Sequence, residues 1–197
     1  MATCVSKKAA SVLAGFMDLS RYSVSHFDRG ASRLKEMLWQ CFSLVFFRTP
    51  CPLPSALRVT LLRAFGARIG NSVVIRAGVN ITFPWRFEAG DHVWIGEDVT
   101  ILTLARVTIG SHVCVSQKAY LCTGSHDFRS ETFELQTRPV TVGDRVWIAA
   151  QTFIAPGVRI GEGSMVCAGA VVIENVPERS IVRGNPATVF RRLGAMS

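Results

Sequence analysis

The side chain best suited to moving a proton near neutral pH is histidine, and this sequence holds four. His126 stands immediately before DFRSETFELQTRPVT, residues 127–141, a segment that lacks the periodicity of its flanks. A neutral imidazole can take the proton of a hydroxyl as that oxygen attacks a carbonyl carbon. A lone histidine is more often a surface or core residue, so position has to decide. His92, His112 and His126 are enough in number for a three-histidine zinc site. His92 and His112 read instead as solvated surface residues. No metal is expected. The six cysteines, Cys4, Cys41, Cys51, Cys114, Cys122 and Cys167, show neither close pairing nor metal-ligand spacing. They read as reduced packing thiols of a cytosolic protein.

A repeat positions these residues. From Val142 to Pro177 an aliphatic residue returns at every sixth place, as Val142, Ile148, Ile154, Ile160, Val166 and Val172. Neither a helical period nor one long alternating strand gives that spacing, whereas short strands joined by turns do. In units of eighteen residues the register begins at Ile69, Ala89, Ile109, Val142 and Ile160. Gly70, Gly90, Gly110, Gly143 and Gly161 follow those starts, and are expected to adopt a backbone conformation that other residues avoid. The fifth positions, Val73, Val93, Val113, Val146 and Ser164, suit a tight corner.

The physical reading is a parallel β-helix. One unit makes a three-sided coil that cannot bury its own aliphatics and must stack on its neighbours. About five coils are predicted over residues 69–177, with 1–68 as a lead-in and capping helices and 178–197 as a strand and short helix. His126 then closes the third coil at a corner. His92 and His112, each fourth in its unit, should stack as an outward-facing ladder. Unit starts lie 20, 20, 33 and 18 residues apart, so the excess should leave the coil at Phe87 and Glu88, at Val107 and Thr108, and over 127–141. The last is long enough to be functional.

With 49% hydrophobic and 18% charged residues, the 197-residue chain is a globular domain, alone or with a small appendage. Its net charge of +8 will attract anions, and nucleic acid, acidic lipid and a phosphorylated cofactor all qualify. No Gly-rich phosphate loop, RNA-binding signature or zinc-finger spacing is present, and no nucleic-acid partner is expected. Lys7 and Lys8 precede a short apolar run without a cleavage site, so residues 1–28 read as a cytosolic, loosely ordered lead-in. Residues 31–47 place Leu34, Met37, Leu38, Cys41, Phe42 and Val45 at helical spacing, and the prolines from Pro50 onward end that helix. It is too short to span a bilayer. Two readings stay open: a helix capping the rod's open end, or a helix basic at Arg29, Arg33, Lys35 and Arg48 that lies on a membrane surface. A second short helix is expected over residues 55–65.

The segments TIGSHVCVSQKAYLCTGSHD, VWIAAQTFIAPGVRIGEGSMVCAGAVV and IVRGNPA, with LLRAFGARIG, FPW at 83–85 and WIGE at 94–97, resemble the hexapeptide-repeat acyltransferases. Among these the chain looks most like the colanic acid (exopolysaccharide) biosynthesis acetyltransferases. The resemblance implies a left-handed parallel β-helix, an exception to the usual right-handed crossover. It also implies a homotrimer with acetyl-CoA in grooves between subunits, and exposed Phe133 and Leu135 would favour such self-association.

The same resemblance makes His126 the general base for transfer of an acetyl group to a hydroxyl of a sugar or exopolysaccharide precursor, directly in a ternary complex. It implies that Trp147, Ala149, Ala150, Ala168 and Gly169 line the channel of the acetyl donor. Family members often carry Ser at the place of Ala150, so a backbone amide or water must stabilise the oxyanion here. Arg183, Arg191 and Arg192 are the cations for its phosphates, although Ile173 and Glu174 replace a common Thr-Lys pair. In the maltose and galactoside acetyltransferases an Asn and an Asp border the sugar; the register puts Gly96 and Leu104 there. Trp85, Glu97, Asp98 and Asp127 are the acceptor-side candidates, with Trp85 equally suited to filling a corner. Two other readings fit the same scaffold: N- or O-transfer to an amino sugar or other small molecule, and a noncatalytic interaction scaffold.

Overall fold

The computed structural model describes residues 18–24, 26–48 and 53–194. The expectations for Lys7, Lys8, Cys4, Cys51 and the proline stop at Pro50 lie outside the described residues. Of these, 18–28 with 125–136 make one compact unit, and 29–124 with 137–194 make the other.

The larger unit is a parallel β-helix with three ladders. The first stacks Arg68–Ile69, Phe87–Ala89, Val107–Ile109, Val140–Val142 and Arg159–Ile160. The second stacks Val74–Ile75, Trp94–Ile95, Cys114–Val115, Trp147–Ile148 and Met165–Val166, and continues into Ser180–Gly184. The third stacks Asn80–Ile81, Thr100–Leu102, Tyr120–Cys122, Phe153–Ile154 and Val171–Val172. Register carries Ile69 onto Ala89, Ile109, Val142 and Ile160, as the eighteen-residue unit requires. Their side chains, with Ile75, Ile81, Ile95, Ile101, Val115, Leu121, Ile148, Ile154, Val166 and Val172, share one apolar interior. Five complete coils are followed by a partial sixth, where Val176 bridges Ile160 and Ile181 and Val182 pair with Met165 and Val166.

The glycines after the unit starts serve closeness, not conformation. None of the five has a positive φ. A Cβ on Gly70 would sit 2.4 Å from Asp91 Oδ1, and one on Gly161 would sit 2.4 Å from the Glu178 amide nitrogen. The left-handed residue comes two places later, with φ of 54° at Ser72, 56° at His92, 59° at His112 and 55° at Arg145. Small extra segments also differ from expectation. Phe87 and Val107 are fully buried and paired in the first ladder, together with Glu88 and Thr108. The surplus residues sit at the preceding corners instead, in a single 3-10 turn at Pro84–Arg86 and in the bend before Val107. Val140 and Thr141 likewise belong to the coil, paired with Val107 and Thr108. The long excursion leaves and returns as a two-stranded ribbon, Gly124–His126 with Leu135–Thr137.

Helices α1 (Arg33–Phe46) and α2 (Ser55–Ala64) meet the open edge of the first coil. Ser32 caps α1 through the Lys35 amide. Arg63 donates to the Ile69 and Gly70 carbonyls on the first ladder, the Ile75 amide donates to Ser55 Oγ on the second, and Trp39 Nε1 donates to the Ile81 carbonyl on the third. Backbone groups that an exposed edge would leave unpaired are thereby satisfied. The face of α1 turned to the coil is not the one that the apolar spacing marks. Glu36, Trp39 and Ser43 are buried, followed by Phe47, while Leu34, Met37, Leu38, Cys41, Phe42 and Val45 face outward. Trp39 decides this, because its ring packs at 5.2 Å on both Phe47 and Phe65 while its indole N–H finds an edge carbonyl. The C-terminal helix is also absent: Ala187–Arg192 is a strand, antiparallel to Ser180–Gly184. Pairing there covers the edge that the last coil would expose.

Candidate active site

His126 ends the outgoing strand of the ribbon, where the chain turns into residues 127–134. That turn is held locally: the Asp127 amide donates to the Glu134 carbonyl, and Asp127 Oδ1 accepts from the Arg129 amide. Around the imidazole the smaller unit is specific. His126 Nδ1 lies 2.9 Å from the carbonyl oxygen of Phe133. The Phe133 ring stacks on the imidazole with centroids 4.3 Å apart and planes 2° from parallel, and Tyr22 closes edge-on at 5.5 Å. Phe133 holds this place with φ of 49°, which a bulky side chain adopts only when its surroundings require it. A carbonyl can only accept, so Nδ1 carries the proton. In the neutral ring Nε2 is then the atom with the free lone pair. The arrangement presents a base of fixed tautomer and fixed plane.

In the larger unit Glu97, Asp98, Ala149, Ala150, Ala168 and Gly169 fall along one corner of the β-helix. At that corner Asp98, Lys118 and Gln151 take left-handed φ of 58–59°, with Gly78 and Gly169 at the ends. Hydrogen bonds run from coil to coil: Lys118 N to Glu97 O, Gln151 N to Gln117 O and Gly169 N to Ala150 O. Glu97 and Asp98 thus share a column with Ala149, Ala150, Ala168 and Gly169. The Ala149 amide is engaged by the Val166 carbonyl, leaving those of Ala150 and Ala168 outside this ladder. Glu97 accepts from Arg76 Nε at 2.7 Å, and this bond holds its carboxyl below the usual carboxylate range. Trp147 stands half-exposed on the neighbouring face, with its indole donating to Ser116 Oγ.

Other candidates go elsewhere. Trp85 has Phe83 stacked on its ring at 5.1 Å, Lys35 Nζ 5.1 Å from its centroid, and its indole N–H on the Arg29 carbonyl. It fills a corner. Arg183 lies over Phe190 at 3.6 Å, in the terminal ribbon. Register there pairs Ile181 with Arg191 and Ser180 with Arg192, so Arg183 and Arg191 share one face and Arg192 takes the other. The three arginines therefore do not form a single cluster. His92 and His112 stack at 4.9 Å as an exposed pair. No group of three His, Cys, Asp or Glu able to hold a metal ion occurs among the described residues. Phe133 and Leu135, expected as exposed apolar surface, are half-buried; Phe128 is the exposed aromatic of the excursion.

Comparison with known proteins bears on the family and the fold. Residues 139–174 match the bacterial transferase hexapeptide (six repeats) family. The chain is 44% identical over 174 residues, 88% of its own length and 96% of the relative's, to the putative colanic acid biosynthesis acetyltransferase WcaF of Escherichia coli. The chain belongs to the hexapeptide-repeat acetyltransferases. A solved hexapeptide-repeat acetyltransferase of Vibrio cholerae, complexed with acetyl coenzyme A, superposes with a TM-score of 0.77 at 30% identity, covering 89% of this chain and 97% of that one. A galactoside acetyltransferase in complex with coenzyme A gives 0.75 at 25% identity, covering 82% of each chain.

As a hexapeptide-repeat acetyltransferase the chain is an enzyme, and its fold is the expected left-handed parallel β-helix. Two residues around His126 escaped sequence reading. Phe133 sits in an aperiodic segment, seven residues from the histidine whose proton it fixes. Tyr22 comes from a stretch more than a hundred residues away in sequence, with no periodicity to mark it. Only the aromatic character of each gave any signal.

Proposed function

We propose that this enzyme transfers the acetyl group of acetyl-CoA to a hydroxyl of a sugar in an exopolysaccharide precursor, with His126 as general base. Nε2 takes the hydroxyl proton as the oxygen attacks the thioester carbonyl. The tetrahedral intermediate collapses by breaking the carbon–sulfur bond, and the imidazolium returns the proton to the CoA thiolate. No acyl-enzyme is formed. The observation that carries this reading is the Phe133 carbonyl on Nδ1, which leaves Nε2 as the base.

The donor lies along the corner of Ala149, Ala150, Ala168 and Gly169, between subunits of a homotrimer, with Trp147 beside it. The Ala150 amide serves the oxyanion, and Arg183 and Arg191 serve the phosphates. Support comes from the small side chains of that column and from relatives solved with acetyl-CoA or CoA. Glu97, Asp98 and Asp127 are the acceptor-side residues. Acetyl-CoA is a cytoplasmic metabolite, and the reaction belongs in that compartment.

The test is acetyl-CoA turnover with a panel of glycan hydroxyl acceptors, comparing the wild type with His126→Ala at fixed pH. The substitution should lower turnover by about 10²- to 10⁴-fold with the thermal transition unchanged. Equal rates would remove the base assignment. Sedimentation equilibrium tests the trimer.

A further inference from the structure

Helix α1 is apolar on two opposite sides. Glu36, Trp39 and Ser43 are turned to the core, and Trp39 is only 2% exposed. At 100° per residue Leu34, Met37, Leu38, Cys41, Phe42 and Leu44 cover the opposite arc. Their exposure is that of a free surface: 63% for Leu34, 60% for Met37 and 59% for Leu44. A helix buried in a protein is apolar all round, whereas one at a protein surface turns a polar face to water. Here water meets leucine, methionine and phenylalanine.

The charge around this arc is of one sign. Between residues 29 and 48 the chain carries Arg29, Arg33, Lys35 and Arg48 against a single acid, Glu36. Glu36 is turned inward and paired with Arg29. Arg33 and Lys35 fall on the two flanks of the apolar arc, and Arg48 follows the C-terminal end. Lys35 faces the Trp85 ring and Arg48 the Asn80 amide oxygen, both neutral, so neither charge is cancelled. An apolar stripe rimmed by uncompensated cations is complementary to a layer that is apolar beneath and anionic above. No helix among the described residues is long and apolar enough to cross a membrane, so the fit is to the interface.

We propose that α1 docks this enzyme on an anionic lipid bilayer, with Leu34, Met37, Leu38, Phe42 and Leu44 in the acyl boundary and Arg33, Lys35 and Arg48 at the headgroups. Charge disfavours the other occupants. A second copy on the same face would set the same three cations against each other. Residues 1–17 carry Lys7 and Lys8 and no acid, so they offer the rim no counter-charge either. The inference is independent of the acetyl-transfer chemistry and of His126.

The test is co-sedimentation of the full chain with vesicles of phosphatidylcholine alone and with vesicles about one-third phosphatidylglycerol, at low and high salt. The wild type should pellet with the anionic vesicles at low salt only. Leu38→Gln/Leu44→Gln should weaken partition by about tenfold or more, since each removes a buried aliphatic from the boundary. Arg33→Gln/Arg48→Gln should weaken it while flattening the salt dependence. All three proteins should hold the same thermal transition and the same acetyl-CoA turnover in solution. Failure of the wild type to bind either vesicle overturns the proposal. So does equal binding by the leucine variant. A change of oligomeric state in that variant without any lipid binding would assign the face to a second copy instead.

Discussion

Each coil of the β-helix is held by the coils on both sides of it, so an interior aliphatic such as Ile148 is fixed by Val115 on one side and Val166 on the other. The imidazole of His126 is held once, by one carbonyl and two rings, in a segment with no repeat to restore it. The difference teaches where each kind of damage should appear. Repetition protects register and makes stability a sum over neighbours. On the proposed mechanism, a singular arrangement concentrates function in a few contacts that stability hardly notices.

The largest effect expected on the repetitive side comes from Ile148→Ala. Loss of a fully buried side chain between two ladder neighbours should cost about 2–5 kcal/mol in denaturant unfolding. A cost below about 1 kcal/mol would show that the coils do not share their packing. Next is Gly161→Ala, which drives a methyl to 2.4 Å from the Glu178 backbone nitrogen and should cost about 1–3 kcal/mol. Gly169→Ala provides the contrast. Its Cβ would meet nothing within 4 Å, and only φ of 69° opposes it, so about 1 kcal/mol is expected. Similar losses at both would mean that close approach is not what selects the glycine after each unit start.

On the singular side, Phe133→Ala should lower kcat about tenfold. Its unfolding free energy should stay within about 0.5 kcal/mol of the wild type. Phe133→Tyr, which keeps the ring, should restore the rate. An unchanged kcat in Phe133→Ala would make the stacking incidental. The smallest effect belongs to Glu97. Its folded pKa is depressed, first by the hydrogen bond from Arg76, so the pair stabilises the fold above the unfolded carboxyl pKa and ceases to do so as pH falls through the folded value. Arg76→Gln should remove that acid-side loss from a stability–pH curve. The pair is well exposed, which keeps the change slight.

Much of this molecule was legible in its sequence because period six is a statement about geometry. Ile69, Ala89, Ile109, Val142 and Ile160 could be aligned by counting, and they stack in that register. Counting also put His92 on His112. It misjudged the two-residue insertions, since a period marks how much chain is surplus but not which residues a corner will release. Burial made that choice, keeping Phe87 and Val107 inside. Helix α1 shows the same limit. Two apolar faces are equivalent to a hydrophobic pattern, and only the fit of the Trp39 ring and its N–H to the first coil told them apart.

By itself the sequence determined the solenoid, its unit length, the family and the histidine at the head of the excursion, because each is written in local spacing that stacking merely repeats. Tertiary structure alone decided that Nε2 is the free nitrogen of that histidine, and that α1 turns its tryptophan inward and its leucines to the outside. Both outcomes depend on partners distant in sequence or in aperiodic chain. A carbonyl at Phe133 and an edge oxygen at Ile81 acquire their roles only when folding brings a donor within hydrogen-bond reach.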